Sequence, residues 1–209
     1  MKIKEFWMDV LRAAAIIGVV MALSHIFEQY MLLLSGVSLI NASLVILIEG
    51  VIAAAVFVWL MIRFTRRISL AWNDRIEVGN GIVVDMPFTY GRAVSYGLLI
   101  SMFAGIFVGV ANTIFVDIMG YDLYRAAQIG YFEQIEEIMN AYNALLGGSE
   151  NLSSDIMTKQ IEMLETMDKP SIFATIISHM TSYMLYGGIA SLVVAAVARR
   201  KRVQNISNE

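Results

Sequence analysis

The sequence predicts an all-α integral membrane protein. The expected architecture is a four-transmembrane-helix bundle, with an extracytoplasmic helical hairpin between spans three and four and a small cytoplasmic β-hairpin before span three. Three observations carry this. Of 209 residues, 58% are hydrophobic and only 16% are charged, too little polar cover for a soluble domain of this length. The apolar residues gather into four long runs, and mean hydropathy is +0.66, the signature of membrane spans. Finally, twelve of the fifteen Lys and Arg residues fall on one side of the four-run pattern.

The runs cover residues 10–34, 44–62, 93–116 and 172–198. Each is near the ~20 residues that cross ~30 Å of hydrocarbon at 1.5 Å per residue. Lys2, Lys4 and Arg12 stand at the start. Arg63, Arg66, Arg67, Arg75 and Arg92 lie between the second and third runs, and Arg199, Arg200, Lys201 and Arg202 follow the fourth. The segment 119–170 has only Arg125, Lys159 and Lys169 against nine acids. Positive charge stays on the cytoplasmic side, so both termini are expected inside. Trp7, Trp59 and Trp72 fall near the same boundary, where amphipathic rings prefer to sit. A cleaved signal peptide ending near Ala22-Leu23-Ser24 is the competing expectation. The apolar pattern continues to Leu34, which is long for a signal core. The whole chain, 1–209, therefore reads as one membrane domain.

Two connections carry structure of their own. Ile76, Val78, Ile82 and Val84 flank Gly79-Asn80-Gly81, a hairpin signal. The glycines lack the Lys-Ser/Thr of a phosphate loop. Between spans three and four, about 121–168, Phe132, Ile135, Ile138, Met139, Tyr142 and Leu145 recur at helical spacing. Gly147-Gly148 ends that helix, and a second carries Ile156, Ile161, Leu164 and Met167. Their polar faces are acidic, unlike the basic faces of lipid-surface helices.

Small residues mark helix seams. Gly97, Ser101, Gly105 and Gly109 continue a spacing of four that begins at Ala93 and ends at Thr113. One such stripe lets a second backbone approach closely. Shorter versions are Ala14, Gly18 and Ala22, and Gly187, Ser191 and Ala195.

Ionisable and amide side chains at membrane depth are costly and often functional. His25, Glu28, Glu49, Asn112, Asp117 and His179 all fall within about 15 Å of the outer face when counted at 1.5 Å per residue. Three readings are open for them. They are polar glue between helices, a ligand or proton site opening outward, or a metal site of His25, Glu28, Glu49 and His179. The last has ligand types suited to zinc or iron but lacks a known paired-histidine spacing, so no metal and no cofactor is expected. Cysteine is absent, which removes disulfides, thiolate sites and Cys nucleophiles. There is no Gly-x-Ser-x-Gly elbow and no His-Glu-x-x-His. No basic face suits nucleic acid.

Phe88-Thr89-Tyr90-Gly91-Arg92-Ala93 leads into Gly97 and Ser101-Met102-Phe103-Ala104-Gly105-Ile106. An acidic segment, Met167-Asp168-Lys169-Pro170, a last span and a basic tail follow. In this order the chain resembles the bacterial membrane protein family catalogued as domain of unknown function 4199. The resemblance implies a small four-span protein of the bacterial inner membrane and assigns no catalytic residue. It also implies an accessory role in envelope-glycan chemistry. Read together, these features suggest a non-enzymatic partner or scaffold subunit of the cell envelope. Its expected partners are the lipid bilayer and a protein, either another chain or a second copy. A small transporter or channel using the outward polar layer is the alternative.

Overall fold

A computed structural model of the chain describes residues 3–34, 39–72, 74–77, 83–86, 88–146 and 152–198. The elements run α1 (Ile3–Leu33), α2 (Leu39–Ala71), β1 (Asp74–Glu77), β2 (Val83–Met86), α3 (Tyr90–Met119), α4 (Tyr121–Leu146), α5 (Leu152–Thr166) and α6 (Ile172–Ala198). The strands pair antiparallel, with Asp74 opposite Met86 and Glu77 opposite Val83. The Gly79-Asn80-Gly81 turn, Gly147-Gly148 and the basic tail from Arg199 lie outside the described residues.

Four helices are long and apolar enough to cross a membrane: Lys4–Leu33, Leu44–Ala71, Tyr90–Met119 and Ile172–Ala198. The helix that holds the second run continues to Ala71, past residue 62. Helical hydrogen bonding does not stop where apolar composition stops. Past that point Phe64, Thr65, Ile68 and Ser69 stay buried while Arg63, Arg66 and Arg67 face outward, so the helix continues as an amphipathic one. At 1.5 Å per residue such helices are about 40–50 Å long against ~30 Å of hydrocarbon, which leaves their ends beyond the apolar layer.

Two ends of the bundle can be told apart by their contacts. At one, the strand end, α1 and α3 begin while α2 and α6 finish. There the Tyr96 hydroxyl donates to Asp9 at 2.6 Å, and Arg67 lies 3.9 Å from the same carboxylate. The Ser69 hydroxyl donates to the Ala198 carbonyl at 3.1 Å, and that of Tyr90 to Leu192 at 3.0 Å. Phe6, Trp72 and Phe88 close over this network, with Trp72 5.5 Å from Phe88 and Phe6 5.9 Å from Tyr96. The sequence reading placed membrane-depth polar groups only toward the opposite face, and Asp9 stands one residue before its first apolar run. The structure joins Asp9 of α1 to Arg67 of α2 and to a fully buried Tyr96 of α3.

The opposite end carries α4 and α5, which lie against each other, the Thr158 hydroxyl donating to Glu136 at 3.1 Å. Gln128 of α4 donates to Gln29 of α1 at 2.8 Å. Thr89 caps α3 by accepting from the Arg92 amide at 3.4 Å, as an N-cap hydroxyl should. Gly120 ends α3 at φ 88°, a conformation that favours glycine, and turns the chain into α4.

The tightest seam joins α3 to the antiparallel α6. A Cβ on Gly105 would stand 2.7 Å from the Met180 Cα, and one on Gly109 2.8 Å from the Ile176 Cα. Further along, Gly97 faces the Ser191 side chain and Gly187 faces Ser101. Each serine hydroxyl donates to the glycine carbonyl four residues earlier in its own helix, Ser101 to Gly97 and Ser191 to Gly187. The two helices thus interlock reciprocally, glycine against serine in both directions. This takes up the small-residue stripe of α3 within the chain. Gly18 on α1 meets α3 in the same way, a Cβ there standing 2.7 Å from the Phe107 Cβ.

Of the four long apolar helices, α2 is the least enclosed. Only 17% of its most apolar window is buried, against 44% for α3. An open groove of about 550 Å³ runs between α1 and α2, lined by Val20, Leu23, Phe27, Val45, Ile48 and Ile52 among others.

Candidate functional site

The six polar positions expected in one layer do lie toward the α4–α5 end, but they divide into three places. His25, on α1, has its Nδ1 3.4 Å from the Glu28 carboxylate one turn on. Its ring meets that of His179, on α6, edge to face at a centroid distance of 5.1 Å. The His25 Nε2 is buried with no partner among the described residues. Asn112, on α3, is 7% exposed, and its Oδ1 also has no such partner. Asn112 and His179 both line a cavity of about 360 Å³. A histidine–histidine–glutamate series therefore backs onto one cavity wall.

The other two positions stand apart. Asp117 pairs with Lys169, and both side chains are about half exposed. Lys169 belongs to the cavity lining, so this ion pair sits at its mouth. Glu49 is elsewhere: it accepts from the Ser24 hydroxyl in the groove between α1 and α2. The reason is rotational. Residues at equal depth on different helices meet only if they share an azimuth, and α2 presents Glu49 to a different flank of α1 than the one carrying His25.

Among the described residues, no three His, Asp or Glu side chains are grouped to hold a metal ion. The four-residue metal reading of His25, Glu28, Glu49 and His179 is thereby corrected, Glu49 being turned away toward Ser24.

The cavity is walled by the second half of α3, the start of α4, the 167–170 connection and the first turns of α6. Its polar lining includes Thr113, Thr175, Ser178, Tyr121 and Tyr124 besides Asn112, His179 and Lys169. Apolar atoms of Val116, Met167, Pro170 and Ala174 supply the rest. Burial pushes the Tyr124 hydroxyl above its ordinary pKa, and the nearby Glu28 carboxylate adds to the shift. That phenol therefore stays protonated through the physiological range. The Tyr121 hydroxyl is committed to the connection, donating to the Met167 carbonyl at 3.2 Å.

Sequence reasoning missed Tyr121, Tyr124, Lys169, Thr175 and Ser178 as cavity residues. Lys169 carried a signal: it is one of three basic residues on the acidic side and stands next to Pro170, where the chain turns into α6. Hydroxyls and phenols in helices carry none, because they are ordinary lining residues everywhere.

The family model described as Protein of unknown function (DUF4199) matches residues 12–200. Among curated proteins and among solved structures, nothing matches this chain.

Proposed function

The chain belongs to that family of unknown function, and from this premise we propose that it is a non-enzymatic multi-pass membrane protein acting as a partner subunit in the bacterial inner membrane. The observation that carries the reading is the groove between α1 and α2. It is open, mostly apolar, and flanked by Leu47, Val51 and Trp59, each more than half exposed. Yet it contains a carboxylate, Glu49, whose hydrogen bond comes from Ser24. A carboxylate at membrane depth costs about 2.5–3.5 kcal/mol even on insertion scales. A transmembrane helix laid in the groove would cover it, and apolar shape alone gives no reason to retain it there. In this reading the charge bias keeps both termini and the strands cytoplasmic, and the acidic α4–α5 segment is a second contact surface outside.

The chain has no cysteine, so single-cysteine crosslinking is clean. Ile52→Cys, on the groove, is expected to crosslink in native membranes to one partner or to a second copy. Phe173→Cys, exposed at the start of α6, is the control. A chain that gives equal, diffuse products from both positions overturns the reading.

The outer cavity favours a second reading, an outward-facing ligand site. It favours a site over a conduit because the bundle below is filled. Ile17, Tyr96, Ile100, Ala104 and Val108 are at most 1% exposed, and the interlocked α3–α6 seam runs through the same level.

A further inference from the structure

The groove between α1 and α2 holds an acid whose charge the chain leaves unbalanced. Glu49 lines the groove and accepts from the Ser24 hydroxyl. A carboxylate has two oxygens and about four acceptor sites, and one neutral hydroxyl does not offset its charge. No ion pair among the described residues includes Glu49. Ionisable groups at membrane depth almost always face the bundle interior or a watery cavity, and pair with one another. Glu49 lines an open flank instead. Leu23 and Phe27 of α1 and Leu47, Ile48, Val51 and Ile52 of α2 are exposed around it.

Depth rules out a second copy as the source of the counter-charge. Copies related by an axis along the membrane normal meet at equal depth, so Glu49 of one would face residues at its own level in the other. The sequence has no Lys or Arg between Arg12 and Arg63, between Arg92 and Arg125, or between Lys169 and Arg199. Ser24 marks the level of Glu49 on α1, and Arg12 lies about 18 Å from Ser24 along that helix at 1.5 Å per residue. Arg63 lies about 21 Å from Glu49 along α2 by the same measure. Lys169 stands before the start of α6, where Asp117 pairs with it. The imidazoles of His25 and His179 share the level of Ser24, but they meet each other across α1 and α6. Two copies joined at their grooves would set carboxylate against carboxylate.

The counter-charge therefore comes from another protein. The groove follows α2 from Val45 to Val56, about 17 Å or three helical turns, a length suited to a helix laid alongside. Glu49 lies about 8 Å below Leu44, where the apolar window opens, at 1.5 Å per residue. Lysine and arginine suit that depth, because their stems lie along apolar surface while the charged head reaches a polar partner. A charge-assisted N–H···O bond is about twice as strong as a neutral one.

We propose that the groove receives a transmembrane helix of a different protein, one that carries a lysine or arginine at the level of Glu49. The proposal rests on the reading of the groove as a partner surface and adds the partner's chemistry.

A designed Leu–Ala transmembrane peptide tests it, made with Lys, Leu or Glu at one position about 8 Å from its outer end. Each peptide is reconstituted with the full-length chain in phosphatidylcholine vesicles. Binding is read by energy transfer from a donor on Phe173→Cys, the label's only thiol in a chain without cysteine. The Lys peptide is expected to bind about tenfold tighter than the Leu peptide, the gain from one charged hydrogen bond. The Glu peptide should bind more weakly than either. Glu49→Gln keeps the side chain's size and an acceptor for Ser24, so the variant should fold, yet its affinity for the Lys peptide should fall to that for the Leu peptide. Glu49→Lys should reverse the order and prefer the Glu peptide, an exchange that a merely structural Glu49 would not give. Equal binding of the Lys and Leu peptides, or a Lys preference that survives Glu49→Gln, overturns the cation and leaves the groove as a helix-docking surface. If no peptide binds, the cation falls, and crosslinking from Ile52→Cys in native membranes decides the groove separately. A discrete product there keeps the partner reading, and diffuse products remove it as well. A discrete product that is a dimer of this chain overturns the proposal outright.

Discussion

The seam between α3 and α6 and the seam between α1 and α2 are built on opposite plans. In the first, backbone meets backbone: glycine is placed wherever the partner helix comes closest, and two serines fill the remaining depth reciprocally. In the second, side chains stand apart around a groove of about 550 Å³, and the polar pair Ser24–Glu49 bridges it. In lipid no hydrophobic force drives helices together, so association depends on close packing and on interhelical hydrogen bonds. One seam uses the first device and the other relies on the second. The difference teaches which surface is finished. From Gly97 to Gly109 the α3–α6 seam is closed by direct contact, while α1 and α2 present an incomplete surface.

The strongest way to break this comparison is to add volume to the closed seam. Gly187→Val places a branched side chain where Ser101 already sits. Overpacking costs about 1–3 kcal/mol and occasionally more, and with a serine side chain and its helix as the obstacle the upper end applies, about 3 kcal/mol. Unfolding of the purified chain by titrated SDS reads the loss directly. Adding Ser101→Gly removes the facing side chain and should restore part of it, so the pair behaves as coupled sites in a double-mutant cycle. Independent, additive effects would mean that the two helices do not interlock as described.

The open seam should respond more mildly. Ser24→Ala takes away the hydroxyl that Glu49 accepts from. Intramembrane hydrogen bonds of this kind average about 0.6 kcal/mol, with a maximum near 1.7, and a loss in that range is expected in the same SDS titration. A loss as large as that of Gly187→Val would make the Ser24–Glu49 bridge, and not the α3–α6 interlock, the bond that holds the bundle.

The two plans were unequally legible in the sequence. Gly97, Ser101, Gly105 and Gly109 announce a close approach because only small residues at spacing four permit one. The same logic marks Gly187 and Ser191 on α6. What the stripes do not announce is whose backbone approaches, and that needed the fold. Polar residues give the reverse problem. Their depth follows from counting residues, so His25, Glu28, Glu49, Asn112, Asp117 and His179 could be assigned one height. Their azimuth does not follow. Helix rotation brings His25 to His179 and turns Glu49 to Ser24. Asp9 was missed for another reason. It stands just outside the first apolar run, whereas a helix that outruns the hydrocarbon can bury such a charge against Tyr96 and Arg67.

The smallest expected effect is the one that best separates a finished surface from an unfinished one. A Cβ added at Gly50, on the exposed face of α2, meets nothing within 4 Å. Glycine in a helix interior costs roughly 0.5–1 kcal/mol relative to alanine, so Gly50→Ala should stabilise the purified chain by up to that amount. At Gly105 the same methyl would stand 2.7 Å from the Met180 Cα, and Gly105→Ala should destabilise it. Opposite signs from one chemical change would fix which glycine is structural within the chain. Native membranes then add a condition that purification removes. If a partner helix lies along α2, the methyl at Gly50 enters that contact, and Gly50→Ala should reduce crosslinking from Ile52→Cys while the isolated chain gains stability. Crosslinking that survives Gly50→Ala unchanged places any partner on another flank of α2.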